Sequence, residues 1–230
     1  MVDVFIGIDD TDNKESRGTG HLARVVAEKL AETYPVHGIL RHQLLFDPRV
    51  PYTAKNSCAA IILTLDAEPD MESIYKQVET IMLADFQPGS DPGLCVTSSV
   101  SPAIIDFGRR AQKDLVYQAE ARQLATDHKI ILNGLGGTQD GVIGALSAVG
   151  LAYSGEDGRY IQVGKIREMS GMCPVNEIIQ AGVYSVRTLE NFEVSDGNVI
   201  ADKLRPARRE GKPILYVQQE DGYWQPLKLD

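Results

Sequence analysis

Three carboxylates crowd into four residues near the start of the chain, in the segment Asp9-Asp10-Thr11-Asp12. The residues before it, Val4 to Ile8, are apolar or small and predict a buried strand that ends at Asp9. Ligands of α/β sheets bind at the carboxyl ends of strands, and like charges crowd there at a cost unless a cation neutralises them. Mg²⁺ prefers oxygen ligands and usually shares them with substrate phosphates. We therefore predict a metal site and catalytic centre at Asp9, Asp10 and Asp12. The alternative is a solvated acidic turn that only ends the strand.

A glycine-containing stretch, Ser16-Arg17-Gly18-Thr19-Gly20-His21, stands directly before a helix predicted from about His21 to Thr33. Backbone N–H groups freed by glycine, together with a helix N-terminus, favour anions. The Thr19 hydroxyl could bind phosphate, touch the metal or accept a phosphoryl group. The alternative is a flexible loop with a capping threonine. Beside the carboxylates, the stretch predicts Thr19 as a catalytic residue and four nucleotide-binding residues: Thr11, Gly18, Gly20 and His21.

A second strand-to-helix connection, Gly134 to Gly141, reads Gly-Leu-Gly-Gly-Thr-Gln-Asp-Gly. Such a loop can cradle phosphate with its backbone N–H groups, although the lysine of a P-loop is absent. The alternative is a tight turn in which glycine lets helix and strand approach each other. Two glycine-bearing loops in one chain favour a shared nucleotide pocket. To this pocket we assign Gly136, Gly137, Thr138, Asp140 and Gly141.

Strand and helix patterns alternate along most of the chain, which predicts a mixed α/β or α+β fold. Further strands are predicted at 36–46, 57–65, 94–98 and 130–132, helices at 70–84, 102–126 and 142–151, and a final hairpin at 213–227. We predict three parts. Residues 1–65 with 128–195 form a nucleotide-binding sheet-and-helix domain, 66–127 a small α/β insert, and 196–230 a β-rich C-terminal tail.

Composition limits the classes of function. The 230 residues are 43% hydrophobic and 24% charged, which suffices for a buried core. The net charge of −9 lacks the basic footprint of nucleic-acid-binding proteins, so RNA is disfavoured as a partner without being excluded. No run reaches the roughly 18 apolar residues of a membrane helix, and the acidic start does not resemble a signal peptide. We expect a cytoplasmic protein without a membrane partner, and a homo-oligomer is left open.

Four motifs together resemble the archaeal agmatidine synthetase family, whose members modify a cytidine in the anticodon of an isoleucine tRNA. Ile6 to Asp12, with the loop and helix after it, is similar to the start of that family. Asp47 to Tyr52 resembles its Asn-Pro-x-x-Pro-aromatic segment, and Asp91-Pro92-Gly93 its Pro-Gly turn. Gly141 to Gly150 is similar to its Gly-Leu-Ile-Gly-Ala-Leu-Ala-Ala-Ile-Gly helix start. The motifs fall in the same order over about residues 4–165.

The resemblance implies an ATP-using, Mg²⁺-dependent kinase-like domain with a ferredoxin-like domain beside it, the latter at 66–127. It implies that Asp9, Asp10 and Asp12 hold the metal and that Thr19 belongs to the catalytic centre.

Several family side chains are replaced in this sequence. Ser16 to His21 lacks the family's cysteine and second threonine, and residues 53–57 lack its lysine. Thr138 and Asp140 stand where the family has asparagine and arginine, so we do not transfer the phosphate contacts of those side chains. The family's OB-fold and zinc ribbon are not visible, and three scattered cysteines cannot form the ribbon. We therefore expect a short homologue.

The expected function is ATP- and Mg²⁺-dependent phosphoryl transfer, kinase-like or ligase-like, to a small-molecule or nucleoside-like substrate. One alternative is a non-catalytic nucleotide-binding sensor or regulatory protein, favoured by the lost lysine and arginine. Another is a tRNA-modifying enzyme subunit that works with a separate RNA-binding partner. An actin-like ATPase usually needs a longer chain. A haloacid-dehalogenase-type phosphatase needs a downstream lysine and acidic pair that we do not find.

Overall fold

A computed structural model describes residues 1–13, 15–50 and 56–229. The chain divides into two compact units, Met1–Ser154 and Gly155–Asp230. The fold is mixed α/β, as predicted.

The first unit is organised around an antiparallel sheet that contains five strands among the described residues. In the order β5-β4-β1-β3-β2, every neighbouring pair of strands is antiparallel. Asp9 at the end of β1 pairs with Gly93 at the start of β4, and Gly93 pairs with Gly134 at the end of β5. These three strand ends therefore lie at the same edge of the sheet. The strands are β1 (Val2–Asp9), β2 (Val36–Gln43), β3 (Ser57–Leu65), β4 (Gly93–Thr97) and β5 (Ile131–Gly134).

The helices of this unit are α1 (Thr19–Leu30), α2 (Met71–Ala84), α3 (Pro102–Ala111), α4 (Gln118–Asp127) and α5 (Gly141–Ser154). α1 has one buried stripe, which includes Leu22, Val26 and Leu30, and it packs on β2 and β3. α5 is apolar and buried almost all round, because it lies between the sheet and α3.

Strand β1 and helix α5 are in close backbone contact. Side chains alternate along a strand, so Phe5, Gly7 and Asp9 all face α5. The Phe5 ring packs edge-on against Tyr153 with the ring centroids 5.4 Å apart. A Cβ atom added to Gly7 would lie 2.0 Å from the carbonyl oxygen of Ala145. Only glycine at this position allows the helix to lie so close to the strand.

The N-terminus of α5 makes a similar contact with β4. A Cβ atom added to Gly93 would lie 2.1 Å from the backbone carbonyl of Gly141. The N–H group of Gly141 donates to the carbonyl of Asp91 over 3.0 Å. The first turn of α5 is thereby fixed beside the carboxyl end of β1.

The second unit consists mainly of short strands. Its longest strand, β11, pairs antiparallel with β10 and β12 and parallel with β8. The buried guanidinium of Arg208 donates hydrogen bonds to the Tyr160 hydroxyl and to the Gly211 carbonyl. The elements are β6 (Arg159–Val163), β7 (Met172–Pro174), α6 (Val175–Gln180), β8 (Ser185–Arg187), β9 (Asn198–Ile200), β10 (Ala207–Arg209), β11 (Lys212–Glu220) and β12 (Tyr223–Pro226).

The predicted domain boundaries at 65, 127 and 195 differ from the division into compact units after Ser154. β4 lies inside the predicted 66–127 insert, yet it pairs with β1 and β5 within the first sheet. The assignment of 66–127 to a ferredoxin-like domain stays a prediction. No helix among the described residues is long and apolar enough to cross a membrane.

Replacing Gly7 by alanine is expected to destabilise the protein, because the new methyl group would overlap the Ala145 carbonyl. Overpacking of this kind costs about 1–3 kcal/mol of unfolding free energy, which urea denaturation measures. Gly18→Ala is the matched control, since Gly18 has an ordinary φ of −64° and a Cβ there would come only within 3.8 Å of Asp12. Equal stability of Gly7→Ala and the wild type would contradict this packing.

Candidate functional site

The chain turns sharply after β1 and brings three carboxylates to one cleft. Asp10 has a φ of 49°, a left-handed conformation that few residues other than glycine adopt and that aspartate tolerates better than most. Asp9, Asp10 and Asp12 all line a cleft of about 270 Å³ in the first unit. The acidic strand end therefore lies in a concave part of the first unit.

The two carboxylates nearest the strand are held in an unfavourable environment for negative charge. Asp9 lies against α5, where a Cβ atom added to Gly144 would come within 1.8 Å of its carboxylate oxygen. Burial, and then the charge of Asp10, raises the pKa of Asp9 to about 7. Burial also raises the pKa of Asp10 to about 6, with further contributions from the charges of Asp91, Asp12 and Asp140. A cation or a bound proton would relieve this repulsion.

A chain of two threonine hydroxyls leads to the third carboxylate. Thr19 is buried at the start of α1, and its hydroxyl donates to Asp12 Oδ1 over 3.1 Å. The buried Thr11 hydroxyl donates to Thr19 Oγ1 over 3.2 Å. Thr19 lines the cleft, whereas Thr11 does not line it and is hydrogen-bonded to Thr19. The structure thus brings together Asp12 and Thr19, which are seven residues apart in sequence.

The other predicted residues of the first glycine stretch do not line this cleft in the described structure. Gly18 is the N-cap of α1, and its carbonyl accepts from the N–H group of His21 over 2.7 Å. The Nε2 atom of His21 lies 3.3 Å from Arg17 Nη1. Gly20 accepts from the Arg24 side chain over 2.7 Å. Of this stretch, Thr19 alone reaches the cleft among the described residues.

The second glycine loop is held by side chains from distant segments. The N–H group of Thr138 donates to the Asp91 carboxylate. The Gln118 amide donates to the Thr138 carbonyl over 3.0 Å and to Asp140 Oδ1 over 2.9 Å. The N–H group and the carbonyl of Thr138 are therefore both hydrogen-bonded within the protein, and phosphate binding by this loop stays a prediction.

Only the helix end of that loop reaches the cleft. Asp140 and Gly141 line it, and Gly136, Gly137 and Thr138 do not. A Cβ atom added to Gly136 would lie 2.5 Å from the Phe86 ring, so this glycine allows an aromatic side chain to cover the loop.

Sequence reasoning did not find the apolar wall of the cleft. Parts of it belong to the motifs at 47–52, 53–57 and 141–150, of which residues 51–55 lie outside the described residues, and the rest comes from segments without a chemical motif. The Leu45 N–H group donates to the Ala111 carbonyl over 2.9 Å, which joins two of these segments. The wall residues are Leu44, Leu45, Val50, Ala111, Leu115, Val116, Tyr117, Ile143 and Gly144, and the same cleft is also lined by the polar residues Arg49, Asn56, Ser57, Asp114 and Gln118.

The three carboxylates are suited to a Mg²⁺ ion that also binds phosphate. Among the described residues, no three acidic, histidine or cysteine side chains are placed to hold a metal ion together. Mg²⁺ commonly uses one or two carboxylates and completes its shell with water and substrate phosphates. Asp9, Asp10 and Asp12 are therefore candidate ligands for an ion shared with phosphate, and they are not a preformed metal centre.

Comparison with known sequences identifies relatives of this chain, although no protein-family model matches it. It is 28% identical over 164 residues to TiaS, the isoleucine-tRNA 2-agmatinylcytidine synthetase of Methanosarcina acetivorans, covering 66% of this chain and 37% of that enzyme. It is also 28% identical over 155 residues to an uncharacterised protein of Methanocaldococcus jannaschii, covering 66% of this chain and 51% of that protein. The chain thus spans about half or less of the length of these relatives.

Solved structures share the fold. A tRNA fluorescent labeling enzyme matches with a TM-score of 0.56 and 25% identity, over 64% of this chain and 36% of that one. TiaS in complex with its isoleucine tRNA and ATP matches with a TM-score of 0.57 and 24% identity, over 65% and 36%. These relatives act on tRNA, so the comparisons do not support the expectation from net charge that RNA is disfavoured.

The ligand-free protein is expected to become more stable as the pH falls from about 8 to about 5. The folded-state pKa of Asp9 is about 7 and its ordinary value is 3.8, so the folded state binds a proton that the unfolded state does not. The destabilisation of the folded state by the Asp9 charge is complete above pH 7 and absent below about pH 4. Asp9→Asn should therefore raise the stability by on the order of 2–4 kcal/mol at pH 8 and make little difference at pH 4.

Thermal unfolding of both proteins with a chelator present checks this expectation. Asp106→Asn, which removes an exposed carboxylate outside the cleft, is the control. A wild type that is more stable at pH 8 than Asp9→Asn would contradict the account.

Proposed function

Because the chain is homologous over about two thirds of its length to the isoleucine-tRNA 2-agmatinylcytidine synthetases, we propose that it is the ATP-using part of a tRNA-modifying activity. The observation that supports this most is the cleft in which Asp10, Asp12 and Thr19 meet the N-terminus of α5. The matched region is little more than a third of those enzymes, so we assign to this chain the nucleoside that reacts, and we assign the remaining RNA contacts to regions or partners outside the matched part. This corresponds to the alternative of a subunit with a separate RNA-binding partner.

The cleft offers an ATP molecule two kinds of surface. At one part, carboxylates and the α5 N-terminus provide a place for a phosphate–Mg²⁺ pair, because the helix end favours anions and the carboxylates favour the cation. Elsewhere, leucine, valine and tyrosine side chains line the wall. Ligand sites commonly combine such an apolar wall with a few placed polar groups. When bound, Mg²⁺ would neutralise phosphate charge during transfer.

Thr19 and Asp12 are proposed to act together. The Thr19 hydroxyl already donates to Asp12 Oδ1, so this carboxylate is placed to orient the hydroxyl and to take its proton. The hydrogen bond from Thr11 fixes the same oxygen from the other side. Thr19 would therefore present its oxygen to a phosphate group in one orientation. Its burial at the start of α1 restricts access by bulk water.

Transfer to a small molecule without RNA is less well supported than the tRNA reaction. TiaS has been solved with AMPCPP and agmatine, and its name specifies a cytidine of an isoleucine tRNA as the modified group. A small amine as co-substrate is compatible with the excess of carboxylates in this cleft. We therefore propose ATP, a tRNA nucleoside and a small cationic amine as substrates.

The proposed function predicts ATP consumption that depends on both Mg²⁺ and tRNA. Purified protein is incubated with ATP, Mg²⁺, tRNA and agmatine, and release of AMP and ADP is measured. Asp12→Asn is expected to lose at least about 100-fold in rate, by analogy with the removal of one electrostatic group from an active site. Asp106→Asn, with the same charge change outside the cleft, should retain the wild-type rate.

Binding of ATP is checked in parallel by thermal shift. ATP at about a hundred times its dissociation constant should add roughly 2.7 kcal/mol of stability, and only with Mg²⁺ present. ATP consumption with small hydroxyl compounds in the absence of RNA would favour the small-molecule phosphotransferase instead. Absence of any shift with ATP would rule out the proposed site.

A further inference from the structure

A tyrosine stands exposed in the wall of the cleft. Tyr117 lines the cleft, and 69% of its surface is exposed. Within the described parts of the chain, its phenol group makes no hydrogen bond and its ring stacks on no other ring. A large aromatic surface in a cleft, open to a ligand, is a common element of nucleotide and nucleic-acid sites.

The backbone at Tyr117 is fixed by its neighbours. It is the N-cap of α4, and its carbonyl accepts from the N–H group of Ala121 over 3.3 Å. The next residue, Gln118, is tied through its amide to Thr138 and Asp140 on the glycine loop. The backbone of Tyr117 is therefore held by hydrogen bonds, and its neighbour Gln118 connects it to Asp140 in the acidic part of the cleft.

An arginine lines the same cleft on a different segment. Arg49 donates from Nε and Nη2 to the two carboxylate oxygens of Asp47, each over 2.8 Å. This fork-like pairing fixes the plane of the guanidinium, while 68% of the side chain stays exposed. Arg49 is the one cation that lines the cleft among the described residues, and it lines the same cleft as Tyr117.

We propose that Tyr117 and Arg49 form a subsite for a nucleobase. Aromatic rings and guanidinium planes both stack on the flat faces of bases, and every base has such a face. Val50 and Val116, the chain neighbours of Arg49 and Tyr117, line the same cleft and provide apolar surface beside the two planar groups. The subsite rests on the proposed function, because it presumes that the cleft takes a nucleotide.

The base belongs either to ATP or to a nucleotide of the RNA. Bases from both sources present the same flat face to Tyr117 and Arg49. An enzyme that acts on an RNA base must take the base out of its stack and hold it, and stacking side chains do so at a moderate energetic cost. The carboxylates elsewhere in the cleft make it a poor site for a bare phosphate backbone, which favours a base over a backbone contact at Tyr117.

Binding measurements on the full chain test the subsite. Dissociation constants are measured by calorimetry for Mg²⁺–ATP, for Mg²⁺–tripolyphosphate, which lacks a base, and for a tRNA transcript. The variants are Tyr117→Ala, Tyr117→Phe and Arg49→Gln. The matched controls are Tyr184→Ala, a tyrosine 53% exposed in the second unit, and Arg109→Gln, an exposed ion-paired arginine outside the cleft.

Tyr117→Ala should weaken at least one base-bearing ligand by about 10-fold, which lies within the range of one stacked base. Tyr117→Phe should stay within about threefold of the wild type, because it keeps the ring. Arg49→Gln should weaken the same ligand, and tripolyphosphate binding should be unchanged in all variants. A loss confined to ATP identifies its adenine as the stacked base, and a loss confined to tRNA identifies a base of the RNA.

Two results would overturn the subsite while leaving the proposed function standing. One is wild-type affinity of Tyr117→Ala for both ATP and tRNA. The other is a loss of tripolyphosphate affinity in Arg49→Gln that equals its loss of ATP affinity, which would make Arg49 a phosphate ligand. If the wild type binds neither ATP nor tRNA, the proposed function and the subsite fail together.

Discussion

The contact between helix α5 and strand β1 at Gly7 determines the geometry of the site. With only 2.0 Å between a hypothetical Cβ there and the Ala145 carbonyl, the helix and the sheet meet backbone to backbone. The first turn of α5 is consequently placed beside the carboxyl end of β1, where Asp9 packs against Gly144. A helix N-terminus next to carboxylates partly offsets the cost of their charge. The same contact requires α5 to be apolar on nearly every side.

The acidic cluster opposes the stability of the ligand-free protein. Burial, and then the charges of neighbouring aspartates, raises the pKa values of Asp9 and Asp10 to about 7 and about 6, which means that the folded protein holds these charges at a cost. Local costs of this kind cluster at active sites and ligand-binding sites, where the surrounding structure enforces them. A phosphate-bound cation would relieve the repulsion between these charges. The backbone of Asp10, in a left-handed conformation, is a second local cost at the same place.

Much of the fold could be read from the sequence, because the signals are local. Helical spacing predicts α2 within one residue of its observed start, and the final hairpin predicted at 213–227 is formed by β11 and β12. The link between Thr19 and Asp12 was also accessible, since both flank one short loop. The short helix α6 was not predicted. Its six residues carry too little periodicity to be distinguished from a strand.

The remaining parts of the site depend on contacts between distant segments. Gln118 meets Asp140 across 22 residues, and Asp91 meets Thr138 across 47, so no local pattern could show that the glycine loop is held from both sides. The apolar wall is equally nonlocal. A crystal structure with Mg²⁺ and AMPCPP tests the central claim most directly. We expect the phosphates of the analogue to lie between Asp10, Thr19 and the first turn of α5. Binding of the analogue outside this cleft, or no binding at saturating concentration, would contradict it.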